Sequence, residues 1–314
     1  MSVSIEPLLV ETYRFRSEDL RPATRLPGIS AFMRVKNGAA FLEATIRSHM
    51  AHLDEIVAVY NQCTDATPEI LARLSGEFGD RLRVFHYKPK VFAPGSDGHA
   101  REPPDSPASF VNQSNFALAQ TRFRVAVKLD DDHLAMGGRL AALTARIRAA
   151  DYRLDRVLCF SGINLARDES GKTEILAHEP FSGNGDIGFF EVTPCTRFIH
   201  HLRFEDFDHA GKRREFCDFT YWHMKYLKSG FGFSNRDIGQ SNARFLRKYN
   251  RFIANRRMAT ITELVRQAPA GLGFLAALPL PDKAKLKIDR WRRLQQAPPN
   301  AADLDAALRQ AGVA

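Results

Sequence analysis

The sequence predicts an α/β protein wound around a largely parallel sheet, and three observations carry that prediction. Short β-favouring runs alternate with helical patterns over the first third of the chain. The polar residues that close those runs, Asn37, Asn61 and Asp130, fall at the carboxyl ends of the predicted strands, where open α/β sheets bind ligands. The run Val125-Ala-Val-Lys-Leu129 ends abruptly in Asp130, Asp131, Asp132 and His133. Three adjacent carboxylates repel one another, and a divalent cation such as Mg²⁺ or Mn²⁺, which prefers oxygen ligands, would relieve that repulsion. The competing reading of the same residues is an acidic, solvated turn.

Residues 1–27 carry mixed charge and three prolines and are expected to form a lead-in with little core of its own. The first strand starts at Gly28 and ends at Asn37-Gly38. Phe41, Leu42, Thr45, Ile46 and His49 then recur at helical spacing. Ile56 to Tyr60 is the second strand, followed by Asn61-Gln62-Cys63-Thr64-Asp65. Thr67-Pro68-Glu69 starts the second helix, with proline at an early helical position. Arg81 to Tyr87 is the third strand. A long loop with five prolines and two glycines covers 88–109, and loops of that length in compact domains are usually functional or disordered. A helix over Ser109 to Thr121 delivers the chain into the strand that ends at Asp130. Right-handed crossovers follow if the strands are parallel.

The chain has 314 residues, 44% hydrophobic and 26% charged, enough for one large α/β domain with additions. Its four cysteines, Cys63, Cys159, Cys195 and Cys217, show no Cys-x-x-Cys spacing, which argues against a zinc module or disulfide scaffold. There is no basic n-region followed by an apolar core, and no uncharged apolar run approaches the ~20 residues of a spanning helix. A cytoplasmic protein is expected. The formal charge is +9, with the excess concentrated between Arg244 and Arg293. A basic surface calls for anionic partners, but no nucleic-acid-binding module accompanies it, so nucleic acid is not expected. No Gly-x-Gly-x-x-Gly follows the first strand, and no Gly-x-x-x-x-Gly-Lys-Ser/Thr fingerprint is present, which disfavours a Rossmann dehydrogenase and a P-loop enzyme.

Over residues 28 to about 235 the order of features resembles the GT-A fold glycosyltransferases, most closely the family 2 inverting enzymes. The likeness rests on Arg34-Val35-Lys36-Asn37, on Asn61 to Thr67, on Asn112-Gln113-Ser114-Asn115, and on Asp130-Asp131-Asp132 in the place of the family's Asp-x-Asp motif. Asn61 stands where the family carries an aspartate, and Ser114 where it carries an arginine. The resemblance implies a Rossmann-like mixed sheet flanked by helices, divided into a nucleotide-sugar half (28–133) and an acceptor half (134–235), with 236–314 as a basic helical extension. It implies that Asp130 and Asp132 hold Mg²⁺ or Mn²⁺ on a nucleotide-diphospho-sugar donor, with His223 a further ligand. Arg34, Lys36, Asn37, Asn61, Asp65, Asn115, Lys128 and Asp131 would bind the donor. Turn capping is an equal alternative for Asn61 and Asp65.

The acceptor half starts with a strand near Val157 to Phe160. Phe181 to Gly188 packs three glycines into a short span, which resembles the family's flexible loop or else is a hairpin turn. An inverting transfer needs a carboxylate to deprotonate the acceptor hydroxyl. Glu205 and Asp206 match the family's x-Glu-Asp motif literally, and Asp218 matches by position at the start of a helix expected over Phe219 to Lys228. A packed core position is the alternative for His223 and the stronger expectation for Tyr221 and Trp222. Ala270 to Leu278, followed by Lys283 to Arg293, is either an interfacial segment on an anionic membrane or a helix packed on the domain. The implied function is metal-dependent transfer from a UDP-sugar or similar donor to a saccharide or lipid-linked saccharide, in surface polysaccharide synthesis. The alternatives are a nucleotidyltransferase, disfavoured by the missing glycine- and lysine-rich loop after the first strand, and a non-catalytic nucleotide-sugar-binding protein.

Overall fold

The computed structural model describes residues 6–233 and 243–312. Its first part runs β1 (Leu8–Val10), β2 (Leu26–Val35), α1 (Leu42–Met50), β3 (Glu55–Tyr60), α2 (Thr67–Phe78), β4 (Leu82–Tyr87), α3 (Asp97–Arg101), α4 (Phe110–Ala119) and β5 (Phe123–Lys128). There follow β6 (His133–Ala135), α5 (Gly137–Ala149), β7 (Arg156–Arg167), β8 (Thr173–Leu176), β9 (Phe181–Glu191), β10 (Arg197–His201), β11 (Phe204–Asp208) and β12 (Arg213–His223). The last part is α6 (Ala243–Ala254), β13 (Met258–Ala259), α7 (Ile261–Arg266), α8 (Leu272–Ala277), α9 (Asp282–Gln296) and α10 (Ala301–Gln310).

The main sheet has the order β1-β4-β3-β2-β5-β9-β7-β12-β6, with β8 and β13 attached beyond β7, and β10-β11 pair separately. The pairs from β1 to β5 are parallel. β9 runs antiparallel between β5 and β7, and β12 is again parallel to β7. Two antiparallel steps restore direction, so β2, β3, β5, β7 and β12 all point their carboxyl ends to one edge. This is the mixed sheet flanked by helices that the sequence led us to expect.

Alternation on β2 shows how the layers form. Ile29, Ala31, Met33 and Val35 pack with Leu42 and Ile46 of α1, Leu71 and Leu74 of α2, and Leu140 and Leu143 of α5. Phe32, on the opposite face, packs with Val111 and Phe116 of α4. All six residues of β3 are buried, as expected of a central parallel strand covered on both faces. The lead-in contributes more than expected: β1 joins the sheet edge beside β4, Leu20 is fully buried, and β2 already begins at Leu26. The expected boundary at 235/236 lies outside the described residues.

Two expected elements are replaced by strands. Phe219 to Lys228 is not a helix: residues to His223 belong to β12, and only a 3-10 turn, Lys225–Leu227, follows. A run of aromatics buried on both faces, Phe219, Tyr221 and Trp222 among them, favours a strand over a helix but lacks the alternation that would announce one. Phe181 to Gly188 is no free loop but part of β9, inside the sheet. Gly188 is required there because a Cβ would come within 2.6 Å of the Leu158 carbonyl oxygen.

At the C-terminal end, α9 packs Leu286 and Leu294 into the core, and Trp291 meets Phe181 edge-on at 4.7 Å. On α8, Leu272 is buried but Phe274 is 72% exposed. Among the described residues no helix is long and apolar enough to cross a membrane.

Candidate metal and donor site

The site lies at the shared carboxyl edge of the strands, and strand register builds it. On β12, His223 pairs with His133 of β6 on one side and with Asn164 of β7 on the other. The backbone N–H of Met224 donates to the Asp132 carbonyl at 2.9 Å, which carries the pairing one residue further. Asp132, His133, His223 and Asn164 are thereby fixed side by side although they come from three separated stretches. Ligand atoms of Asp132, His133 and His223 all lie within 4.8 Å of one another.

Asn164 sets the chemistry of His223. Its amide nitrogen donates to the carbonyls of Glu179 at 2.7 Å and Phe181 at 3.0 Å, so its oxygen faces His223 Nδ1, 2.6 Å away. Nδ1 therefore carries a proton, and Nε2 lies 3.3 Å from Asp132 Oδ1. That oxygen is buried and makes no hydrogen bond. A buried carboxylate oxygen without a hydrogen bond, next to an imidazole nitrogen, fits a cation held by both, with Asn164 as the outer partner that orients the ligand ring.

His133 stacks on Tyr221, with ring centroids 3.7 Å apart. Burial pushes its pKa down to about 3 against the pull of Asp130, so the imidazole is neutral and able to bind a metal. Gly162 makes the stack possible, because a Cβ there would collide with the Tyr221 ring.

The three aspartates differ. Burial pushes the Asp132 carboxyl up, but Lys228 and His223 outweigh it and hold Asp132 well below the carboxylate range. Asp131 is shifted upward, by burial first and also by the charge of Asp132, against Lys228. Lys228 Nζ lies 2.7 Å from Asp131 Oδ2 and 2.9 Å from Asp132 Oδ2. Gly38 leaves room for this group: a Cβ on it would stand 2.5 Å from Asp131 Oδ2. Asp130 is the most open, with a side chain 44% exposed, 3.7 Å from Lys128 Nζ and 3.8 Å from His133 Nε2. Burial raises its pKa, and the charge of Lys128 foremost outweighs that to hold it at about 2. Its carboxylate does not join the cluster formed by Asp132, His133 and His223.

The expected base motif lies on the β10-β11 hairpin rather than near a helix start. Glu205 is tied to Arg34 Nη2 at 2.8 Å and to Lys128 Nζ at 3.2 Å, and it accepts a hydrogen bond from Ser114. Burial raises its pKa, and the two cations outweigh it and lower the net value. Arg34 also lies over the Phe110 ring at 3.8 Å, while its Nε and Nη1 are buried without hydrogen-bond partners. Asp206 alternates outward, is exposed, and accepts from the Phe207 N–H at 2.9 Å. Asp218 lies mid-strand, five residues or roughly 17 Å before His223 at strand rise, so it is not brought to this site. It is paired with Arg139 of α5 and, at 2.6 Å, with Arg293 of α9.

Several expected donor contacts turn out to hold backbone. Asn61 donates to the carbonyls of Tyr87 at 2.6 Å and Pro89 at 2.7 Å. Asn115 grips both backbone groups of Phe198, at 2.7 and 3.0 Å. Asp65 accepts from the N–H groups of Ala39 and Thr67, the turn-capping alternative. Asn37, at φ 52°, accepts from the Thr64 N–H at 2.8 Å and ties two strand ends together. Lys36 is exposed nearby. Three participants went unread: His133, whose signal was its place directly after the aspartates, and Asn164 and Lys228, which nothing local marks.

No family model matches the chain, and no curated protein matches it. Among solved structures it is similar to TarS 1–349 of S. aureus, with 18% identity and TM-score 0.27 over 45% of this chain and 36% of that one. It is also similar to glucosyl-3-phosphoglycerate synthase from Mycobacterium tuberculosis in complex with Mn²⁺, UDP and glucosyl-3-phosphoglycerate, with 15% identity and TM-score 0.27 over 52% of this chain and 53% of that one. The same synthase with Mg²⁺ and UDP aligns at 16% identity and TM-score 0.27, over 51% of each chain. The chain thus spans between about a third and a half of the length of the solved structures it matches.

Proposed function

We propose that this protein is a glycosyltransferase using a nucleotide-diphospho-sugar donor, UDP-linked in the first instance, with Mg²⁺ or Mn²⁺ held by Asp132 and His223. His133 stands in reach as a third ligand, and Asp130 as the open carboxylate beside them. The observation that carries the proposal is the unsatisfied Asp132 Oδ1 facing His223 Nε2 at the carboxyl edge of the sheet. A divalent cation bound there would stabilise the charge on a departing diphosphate. The chain's own residues orient the ligand ring through Asn164, keep water from Asp132 and His133 by burial, and place cationic Arg34 and Lys128 within one connected network beside Asp130.

The finer reading is inverting transfer to a saccharide or lipid-linked saccharide in surface polysaccharide synthesis. The exposed apolar residues of α8 and the lysines of α9 support a protein that works against an anionic membrane surface. Glu205 and Asp218 are held in ion pairs that favour positioning roles, which leaves Asp206 as the base candidate of the three. Calorimetric titration with UDP tests the donor site. Binding should strengthen markedly with Mn²⁺ in the wild type and lose that dependence in Asp132→Ala. Metal-independent binding of UDP, GDP and other nucleoside diphosphates alike would sink the proposal.

A further inference from the structure

Lys228 follows a short turn, five residues beyond His223 in the chain, and its ammonium lies between two carboxylates. Nζ is 2.7 Å from Asp131 Oδ2 and 2.9 Å from Asp132 Oδ2, and the side chain is only 16% exposed. This is the position of a counter-ion. It relieves the repulsion that three consecutive aspartates create, without any group from outside the chain.

The two oxygens of Asp132 are thereby divided: Oδ2 meets Lys228, and Oδ1 is left facing His223. A divalent cation on Asp132 and His223 would bring a second positive charge beside the ammonium, where little water screens the repulsion. One of the two must yield, and the lysine is the group with a flexible stem. Lys228 also leads directly into a sharply turned segment, with Gly230, Phe231 and Gly232 at φ 59°, 54° and 69°. A displaced ammonium remains tethered at the site edge, and a compact ammonium is a ready partner for phosphate.

We propose that Lys228 is a built-in cation that occupies the aspartate pair before metal binds, competes with the divalent ion, and on displacement binds the diphosphate of the donor. This rests on the metal reading given above. The two halves of the proposal move in opposite directions when Lys228 is neutralised, which a merely structural lysine would not produce. Calorimetry on Lys228→Met should show Mn²⁺ binding tightened on the order of tenfold without nucleotide, and UDP binding weakened by a similar factor at saturating Mn²⁺. Lys228→Arg, which keeps the charge, should stay near the wild type in the first measurement.

A second measurement needs no substitution. The Lys228 ¹⁵Nζ resonance of the wild-type protein should shift when Mg²⁺ is added and shift again with UDP. Equal Mn²⁺ affinity in the wild type and a folded Lys228→Met, or a resonance indifferent to Mg²⁺, would overturn the competition. Unchanged UDP affinity in Lys228→Met at saturating Mn²⁺ would overturn the hand-over to diphosphate. If Mn²⁺ binds neither protein, the metal site itself fails, and the proposal fails with it.

Discussion

Each acidic residue near the sheet edge has a different set of neighbours, and those neighbours decide what it can do. Glu205 has the literal motif of a base but carries two cations and a serine hydroxyl on a nearly buried carboxylate. Replacing it with glutamine leaves Arg34 without its counter-charge and Lys128 with Asp130 alone, and breaking a buried pair in this way costs about 3–5 kcal/mol. Asp218 pins α5 and α9 to β12 through Arg139 and Arg293. We therefore expect Glu205→Gln and Asp218→Asn to lower the thermal midpoint, while Asp206→Asn leaves it near the wild type and loses turnover with donor binding retained. Melting curves and turnover on the same three variants check this. A thermally neutral Glu205→Gln that abolishes turnover would return the base to Glu205. The sequence exposed these carboxylates as types but not their partners: Arg34 and Glu205 are 171 positions apart. Lys228 and Asp131 are separated by 97, so no local pattern could join them.

Among the elements, the ones with clean periodicity were legible. Leu42 and Ile46 marked the buried face of α1, and Ile70, Leu71 and Leu74 marked α2, because one-sided burial writes a helical period into the sequence. β12 was misread because both of its faces are buried, which removes the alternation that identifies a strand. β9 was misread because its glycines look like a loop, whereas Gly188 serves close approach to β7. For α8 and α9 the two readings divide between the helices. α9 is packed through Leu286 and Leu294, while Phe274, Leu275 and Leu278 in and just after α8 are exposed, and the exposed Lys283, Lys285 and Lys287 follow them in the chain. Apolar residues next to lysines fit the interface of an anionic bilayer, where each lysine contributes about 1 kcal/mol. The protein should co-sediment with phosphatidylglycerol vesicles and not with phosphatidylcholine vesicles, and Phe274→Ser should weaken that binding. Equal partition to both kinds of vesicle would remove the electrostatic half of the argument.

Across the whole molecule, the site exists only because two distant parts of the chain are brought to one edge. The first strands deliver Asp130 to Asp132; the later strands β7 and β12 deliver Asn164 and His223. β9, the antiparallel insert between them, is what lets β7 and β12 run parallel to β5 and end beside it. The parallel half of this arrangement was readable from the alternation of strands and helices. The insert was not, because pairing direction is a property of the assembled sheet and leaves no period in the sequence.

The central claim is that a divalent cation sits between these two parts, on Asp132 and His223. Pulsed electron paramagnetic resonance of the Mn²⁺-loaded protein reads it directly, through the coupling of a coordinated histidine nitrogen to the metal. The account predicts a nitrogen coupling in the wild type that is lost or reduced in His223→Gln, together with weaker Mn²⁺ binding in Asp132→Ala. Tight Mn²⁺ binding with no histidine nitrogen coupling, or a coupling untouched by His223→Gln, would contradict it.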